Sequence, residues 1–173
     1  MTGWSAFSQT VGPPAAWFAL SDPTSPLTQN QIPLPLQGLT AAVADGEPTS
    51  LLTLTQEIDI PPATAVVLGV DVMVISGIPF ITPEAFDFDL SHQFRIDLLA
   101  PGTPTLAAGN EVLAPLFRTE AGDPTSSPYR RLLFDLTPYA GQRVILRFAY
   151  NQNSLGLVVG IDNVRLLATS GAP

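Results

Sequence analysis

Eighteen prolines in 173 residues place about one proline in every ten positions, and each costs on the order of 3 kcal/mol inside a helix. A helical architecture would need long proline-free windows. The longest runs from Tyr139 to Ala172, and it is rich in β-branched and aromatic residues that alternate with period two. Val144, Leu146, Phe148 and Tyr150 share one face, and Arg143, Ile145, Arg147 and Ala149 the other. The same alternation gives Val66, Leu68, Val70, Val72 and Val74 on one face of a long strand, and Phe94, Ile96 and Leu98 on one face of another. Turn signals fall between the runs, among them Asp45-Gly46, Pro61-Pro62, Pro101-Gly102 and Asn151 to Gly156.

The pattern predicts nine strands, near 16–20, 38–45, 50–60, 65–76, 92–100, 112–119, 129–136, 143–151 and 157–168. Short apolar strands punctuated by turns imply an all-β, antiparallel β-sandwich forming one domain over 1–173. Residues 1–14 and 22–36 carry no period and are expected to be irregular extended segments, the second running along a sheet edge. In the last strand Leu157, Val159 and Ile161 are one residue out of phase with Val164 and Leu166. A bulge near Asp162-Asn163 would let both sets point inward and would redirect the Asp162 carboxylate.

Charge narrows the partners. The net charge is −8, and residues 1–94 hold Asp22, Asp45, Glu47, Glu57, Asp59, Asp71, Glu84, Asp87 and Asp89 without one Arg or Lys. All seven Arg lie between Arg95 and Arg165. Phosphate neutralisation needs clustered basic residues, so no nucleic-acid partner is expected, nor an anionic membrane surface. No run approaches the ~18 apolar residues of a membrane span, so no membrane insertion is expected. The opening MTGWSAFSQT lacks the basic and apolar regions of a signal peptide. Absence of Cys removes disulfides, thiolate metal sites and cysteine nucleophiles together.

The phrase FDLTPYAGQRVILRF, followed about fifteen residues later by IDNVRL, within Phe134 to Leu166, resembles the closing portion of galactose-binding-like jelly rolls. These occur in bacterial carbohydrate-binding modules and MAM-like domains, and LLTLTQEIDIP from Leu51 to Pro61 resembles an earlier strand of the same families. The resemblance implies jelly-roll topology and a non-catalytic module, calcium-stabilised in some members, for glycan binding or adhesion at an extracellular, cell or virion surface. It also implies a Ca²⁺ ligand at Asp162, in company with Asp45, Glu47 and Asp22. The competing reading is that Asp162 only accepts backbone N–H bonds at the bulge.

Catalytic constellations are incomplete. Glu57 and Asp59 begin the paired-acid signature of jelly-roll glucanases, but Pro61-Pro62 stand where a third acid is required. Asp87 and Asp89 read as a polar strand face. His92, the one imidazole, has no G-x-S-x-G phrase to serve and is expected to be a structural residue. Glycan binding needs an aromatic platform flanked by amides or carboxylates. Tyr129 with Asn151 and Asn153 is the preferred set, with Phe80 and Phe86 around the 76–91 loop; Trp4 and Trp17 are further aromatics. The alternative function is a structural assembly unit, a virion decoration or fibre protein or an extracellular filament subunit, in which copies of the chain hold each other by β contacts.

Overall fold

The computed structural model describes residues 3–35, 37–38, 40–47, 49–83, 91–153 and 156–170. Among these described residues ten strands run in chain order: β1 (Ser5–Val11), β2 (Ala15–Leu20), β3 (Ala41–Gly46), β4 (Thr49–Asp59), β5 (Ala65–Ser76), β6 (Gln93–Leu99), β7 (Ala114–Arg118), β8 (Ser126–Asp135), β9 (Arg143–Gln152) and β10 (Leu157–Thr169). They form two five-stranded sheets with orders β1-β4-β9-β6-β7 and β2-β3-β10-β5-β8. Every pairing is antiparallel. The antiparallel sandwich expected from the alternation is therefore present, with one strand more than the nine predicted.

The inward residues are those that the period-two reading put on one face. Leu52, Leu54, Val70, Val72, Phe94, Ile96, Leu146, Phe148 and Tyr150 are buried in one core. β10 joins it through the foreseen bulge, between Asp162 and Arg165. Leu157, Val159 and Ile161 are buried on one side of it, while Val164 and Leu166 pack against the same core on the other.

Two segments differ from expectation. Residues 1–14 are not all irregular, because β1 pairs with β4 over seven consecutive positions. Its sequence SAFSQTV has six of seven side chains exposed, so it covers almost no core and leaves no hydrophobic period to detect. Backbone hydrogen bonding alone makes it a strand. The 22–35 segment does not lie extended along an edge. Ser25 N donates to Asn30 O at 2.9 Å and Ile32 N to Pro23 O at 2.7 Å, closing a loop that buries Ile32 against Leu20, Ala41, Val43, Met73, Tyr129 and Val158. Val43, Met73 and Val158 alternate with core residues and so face outward. That second apolar face needed a cover, and the loop supplies it.

Tyr129 lies on this outer face, over Gly160. A Cβ at Gly160 would run into Tyr129 Oη and would also stand 2.8 Å from its Cζ and 3.0 Å from Met73 Cε. Overpacking of this kind costs about 1–3 kcal/mol. Gly160→Ala should therefore lower the chemical-denaturation midpoint, and Tyr129→Phe added to it should recover part of the loss. Tyr129→Phe alone should cost little, because Oη is buried with no hydrogen-bond partner among the described residues. A full-cost Gly160→Ala that Tyr129→Phe leaves unrelieved would contradict this packing.

Candidate functional site

The aromatic and amide residues singled out in the sequence do not meet. Tyr129 is buried on the outer face of the β2-β3-β10-β5-β8 sheet, and burial, with the Asp162 carboxylate adding to it, raises its pKa. Asn151 belongs to the other sheet, buried beside Gln93 and Leu51 in register, with its Nδ2 donating to Ser91 Oγ. Asn153 is half-buried at the end of β9, where its carbonyl accepts from Thr49 Oγ1 at 3.3 Å. Phe80 is a core residue stacked on His92, with centroids 6.2 Å apart. Phe86, Glu84, Asp87 and Asp89 lie outside the described residues. No shared sugar platform is formed by Tyr129, Phe80, Asn151 and Asn153, because the register sends them to different layers.

The proposed calcium ligands scatter as well. Asp45 is buried, taking a hydrogen bond from Thr28 Oγ1 at 2.6 Å and one from Gly46 N at 2.8 Å. It stands one step past Ala44, the residue that pairs with Val159 on β10, which puts it four register steps from Asp162, a separation of roughly 13 Å at ~3.3 Å per residue. Asp22 is occupied in capping Thr24 N at 3.0 Å, and Glu47 is exposed. Asp162 Oδ1 accepts from Asn163 N at 2.7 Å. Among the described residues no three acidic or imidazole groups gather around one point, whereas calcium asks for six to eight oxygens. These four residues do not fit a calcium ion.

The structure does place Asp162 at a cleft. Trp4, just before β1, tilts against Phe148 with ring centroids 5.5 Å apart. It walls a hollow of about 330 Å³ whose floor is Leu54, Phe148 and Ile161 and whose rim carries Thr40, Gln56, Asp162 and Asn163. The rim is braced. Asn163, in the left-handed region at φ 50°, donates from Nδ2 to Asp71 Oδ2 at 2.8 Å and to Asp162 Oδ2 at 3.2 Å. Its Oδ1 accepts from Arg165 at 3.2 Å. Arg131 grips Asp71 through two hydrogen bonds, and this guanidinium, opposed by burial and helped by Asn163, holds the Asp71 carboxyl below the usual range.

An indole beside an apolar floor, with the polar residues Thr40, Gln56, Asp162 and Asn163 in the lining, suits a ligand with C–H faces and hydroxyl edges. Asp162 is the one carboxylate lining this cleft among the described residues, so it lacks the paired acids of glycoside hydrolysis. Glu57 and Asp59, the sequence's other paired acids, are exposed on β4. Asp59 is tied to Arg143 at 2.7 and 3.0 Å, an interaction that lowers its pKa. At the opposite edge of the sandwich a second hollow of about 320 Å³ opens over Phe117, whose ring has Arg130 at 5.8 Å. Trp4 and Asp162 were visible in the sequence as single candidates. Their meeting with Gln56 and Thr40 was not, since it joins residues up to 158 positions apart through pairing on both sheets.

No protein-family model matches the sequence, and neither does any curated protein. Solved structures do share its fold. The K3 cleaved adhesin domain of Lys-gingipain from Porphyromonas gingivalis superposes with a TM-score of 0.58 at 10% identity, over 97% of this chain and 92% of that one. TmCBM61, solved in complex with β-1,4-galactotriose, matches with a TM-score of 0.55 at 14% identity over 96% and 89%. A Stig cyclase from Fischerella sp. TAU matches with a TM-score of 0.53 at 16% identity over 95% and 84%. The fold is thus the β-sandwich of adhesin domains and carbohydrate-binding modules, in agreement with the resemblance carried by Phe134 to Leu166. It also supports a cyclase, so fold alone does not fix an activity.

Proposed function

We propose that this chain is a non-catalytic glycan-binding or adhesion module displayed on an extracellular surface, with the Trp4 cleft as its sugar site. The observation that carries the reading is the cleft itself, lined by Trp4 together with the polar residues Thr40, Gln56, Asp162 and Asn163, on a fold that hosts a galactotriose-binding module and adhesin domains. The reading does not rest on calcium. The chain has two tryptophans, and Trp17 is buried in the core, so tryptophan fluorescence can report the cleft selectively.

Screening against neutral, acidic and sulfated polysaccharides, followed by titration, is the test. Binding should perturb tryptophan emission in the wild type and in Trp17→Phe. Trp4→Ala should lose that response and bind about tenfold more weakly or worse, tenfold being ~1.4 kcal/mol. No retention on any glycan would overturn the function. Binding that survives Trp4→Ala unchanged would overturn the cleft as its place.

A further inference from the structure

The sandwich ends in four edge strands, β1 and β7 on one sheet and β2 and β8 on the other. Natural sheets protect such edges with proline, charge and bulges, because an unpaired row of N–H and C=O groups is a template for another strand. Three of the edges are guarded or committed. β7 carries Pro115, Arg118 and a register shift against β6. β8 carries Pro128, Arg130 and Arg131 and a shift against β5. β2 buries Ala15, Trp17 and Leu20 and exposes only Ala19.

β1 has none of these devices. SAFSQTV contains no charge and no proline, follows β4 without a register shift, and exposes every side chain but that of Thr10. Phe7 and Val11, 38% and 60% exposed, are four residues apart and therefore on the same face of the strand.

We infer that β1 is a self-pairing edge that joins two copies of this chain into one continuous sheet, about a two-fold axis through Gln9. Only registers in which paired positions sum to an even number bring matching backbone groups together across an antiparallel two-fold axis. The sum of 18 is such a register, and its side chains match. Phe7 faces Val11 of the second copy, twice by symmetry, giving two aromatic to β-branched pairs. Ser8, whose Oγ donates to Ala15 O at 2.8 Å within its own chain, faces Thr10, and Gln9 faces Gln9. Cross-strand pairs of these kinds are the favourable ones. The isologous contact closes after two copies, and no like charges stand opposite each other in it despite the net charge of −8 on each chain. The occupant is a second copy because the strand complements itself about a single residue, a property that pairing with an unrelated strand would not require.

The chain has no Cys, which makes the register testable. Residues directly opposed in an antiparallel pair have Cα atoms ~4.5–5.5 Å apart, inside the disulfide range of ~4.4–6.8 Å. Light scattering at rising concentration should show a dimer. Mild oxidation of Gln9→Cys should yield a covalent dimer at least tenfold faster than Ser5→Cys, which the same register places opposite Pro13. Gln9→Lys should weaken association tenfold or more by opposing two ammonium groups. A wild type that stays monomeric at every concentration overturns the inference, and so does a Gln9→Cys cross-linking rate equal to that of Ser5→Cys.

Discussion

Asp97→Asn should destabilise the protein by about 3–5 kcal/mol, the usual cost of removing one partner from a buried ion pair. Arg147 and Asp97 face outward from the middle of the β1-β4-β9-β6-β7 sheet, yet both are buried, because residues 100–113 run across that face. Arg147 Nη2 donates to Asp97 Oδ2 at 2.6 Å, and Nη1 donates to Thr105 O and Ala107 O at 2.8 and 2.7 Å. Arg95 Nη2 reaches Asp97 Oδ1 at 3.3 Å. Burial pushes the Arg147 pKa down and Asp97 pulls it back up. One carboxylate thus serves two guanidinium groups, and its removal leaves both charges in a dry layer.

Arg147→Met should cost less than Asp97→Asn, since Arg95 still partners Asp97 in that variant, but it frees the two carbonyls that pin the covering segment. Hydrogen exchange across residues 100–113 should then accelerate in Arg147→Met more than in the core strands. Urea titration gives the comparison. A domain of this size is stable by only ~5–15 kcal/mol, so Asp97→Asn within 1 kcal/mol of the wild type would refute the account of a buried, paired layer.

The second large effect is a loss of stability between pH 6.5 and pH 4 traceable to His92. Its ring is buried, stacks with Phe80 and has Nε2 2.7 Å from Ser76 Oγ. The Ser76 hydroxyl proton goes to Ile78 O at 2.5 Å, so Nε2–H is the donor to Oγ. Nδ1 is left without a hydrogen-bond partner among the described residues. Protonating Nδ1 would place an N–H with no acceptor in a buried site. Burial accordingly lowers the His92 pKa from 6.5 to about 4.

Because the native pKa is the depressed one, the unfolded chain takes up the proton first as pH falls. The stability that His92 contributes is complete above pH 6.5, declines as pH drops, and is gone near pH 4, a total of about 3 kcal/mol. Asp59, Asp71 and Asp135 also have lowered pKa values. Their contribution is present above the ordinary carboxylate value of 3.8 and is lost as pH falls below it, so the two windows separate. Urea midpoints at pH 7.5 and 4.5 should differ strongly in the wild type and much less in His92→Gln. An equal pH slope in both proteins would remove His92 as the cause.

The sheets themselves were legible because alternation is local. Val144, Leu146, Phe148 and Tyr150 declare an inward face whatever they pack against, and the Asp162-Asn163 phase slip declares a bulge. β1 was not legible, since a strand that buries nothing leaves no period. His92 could be read as structural because no nucleophile phrase accompanied it, but its burial depends on Phe80 and Ser76 arriving from another strand and loop.

The charge asymmetry is instructive in the same way. The base-free first half leaves its carboxylates with no countercharge nearby in the sequence. Pairing β4 with β9 and β5 with β8 puts Arg143 on Asp59 and Arg131 on Asp71, so countercharges come from the second half of the chain. The sequence by itself determined an all-β sandwich, its core faces and its bulge, because side-chain alternation and proline content act within a few residues. Only the tertiary structure decided that Tyr129 and Asn151 lie in separate layers, that Asp45 and Asp162 stand apart, and that Trp4 meets Asp162 at a cleft. Those relations depend on strand order and register, which are set by pairing between segments far apart in the chain.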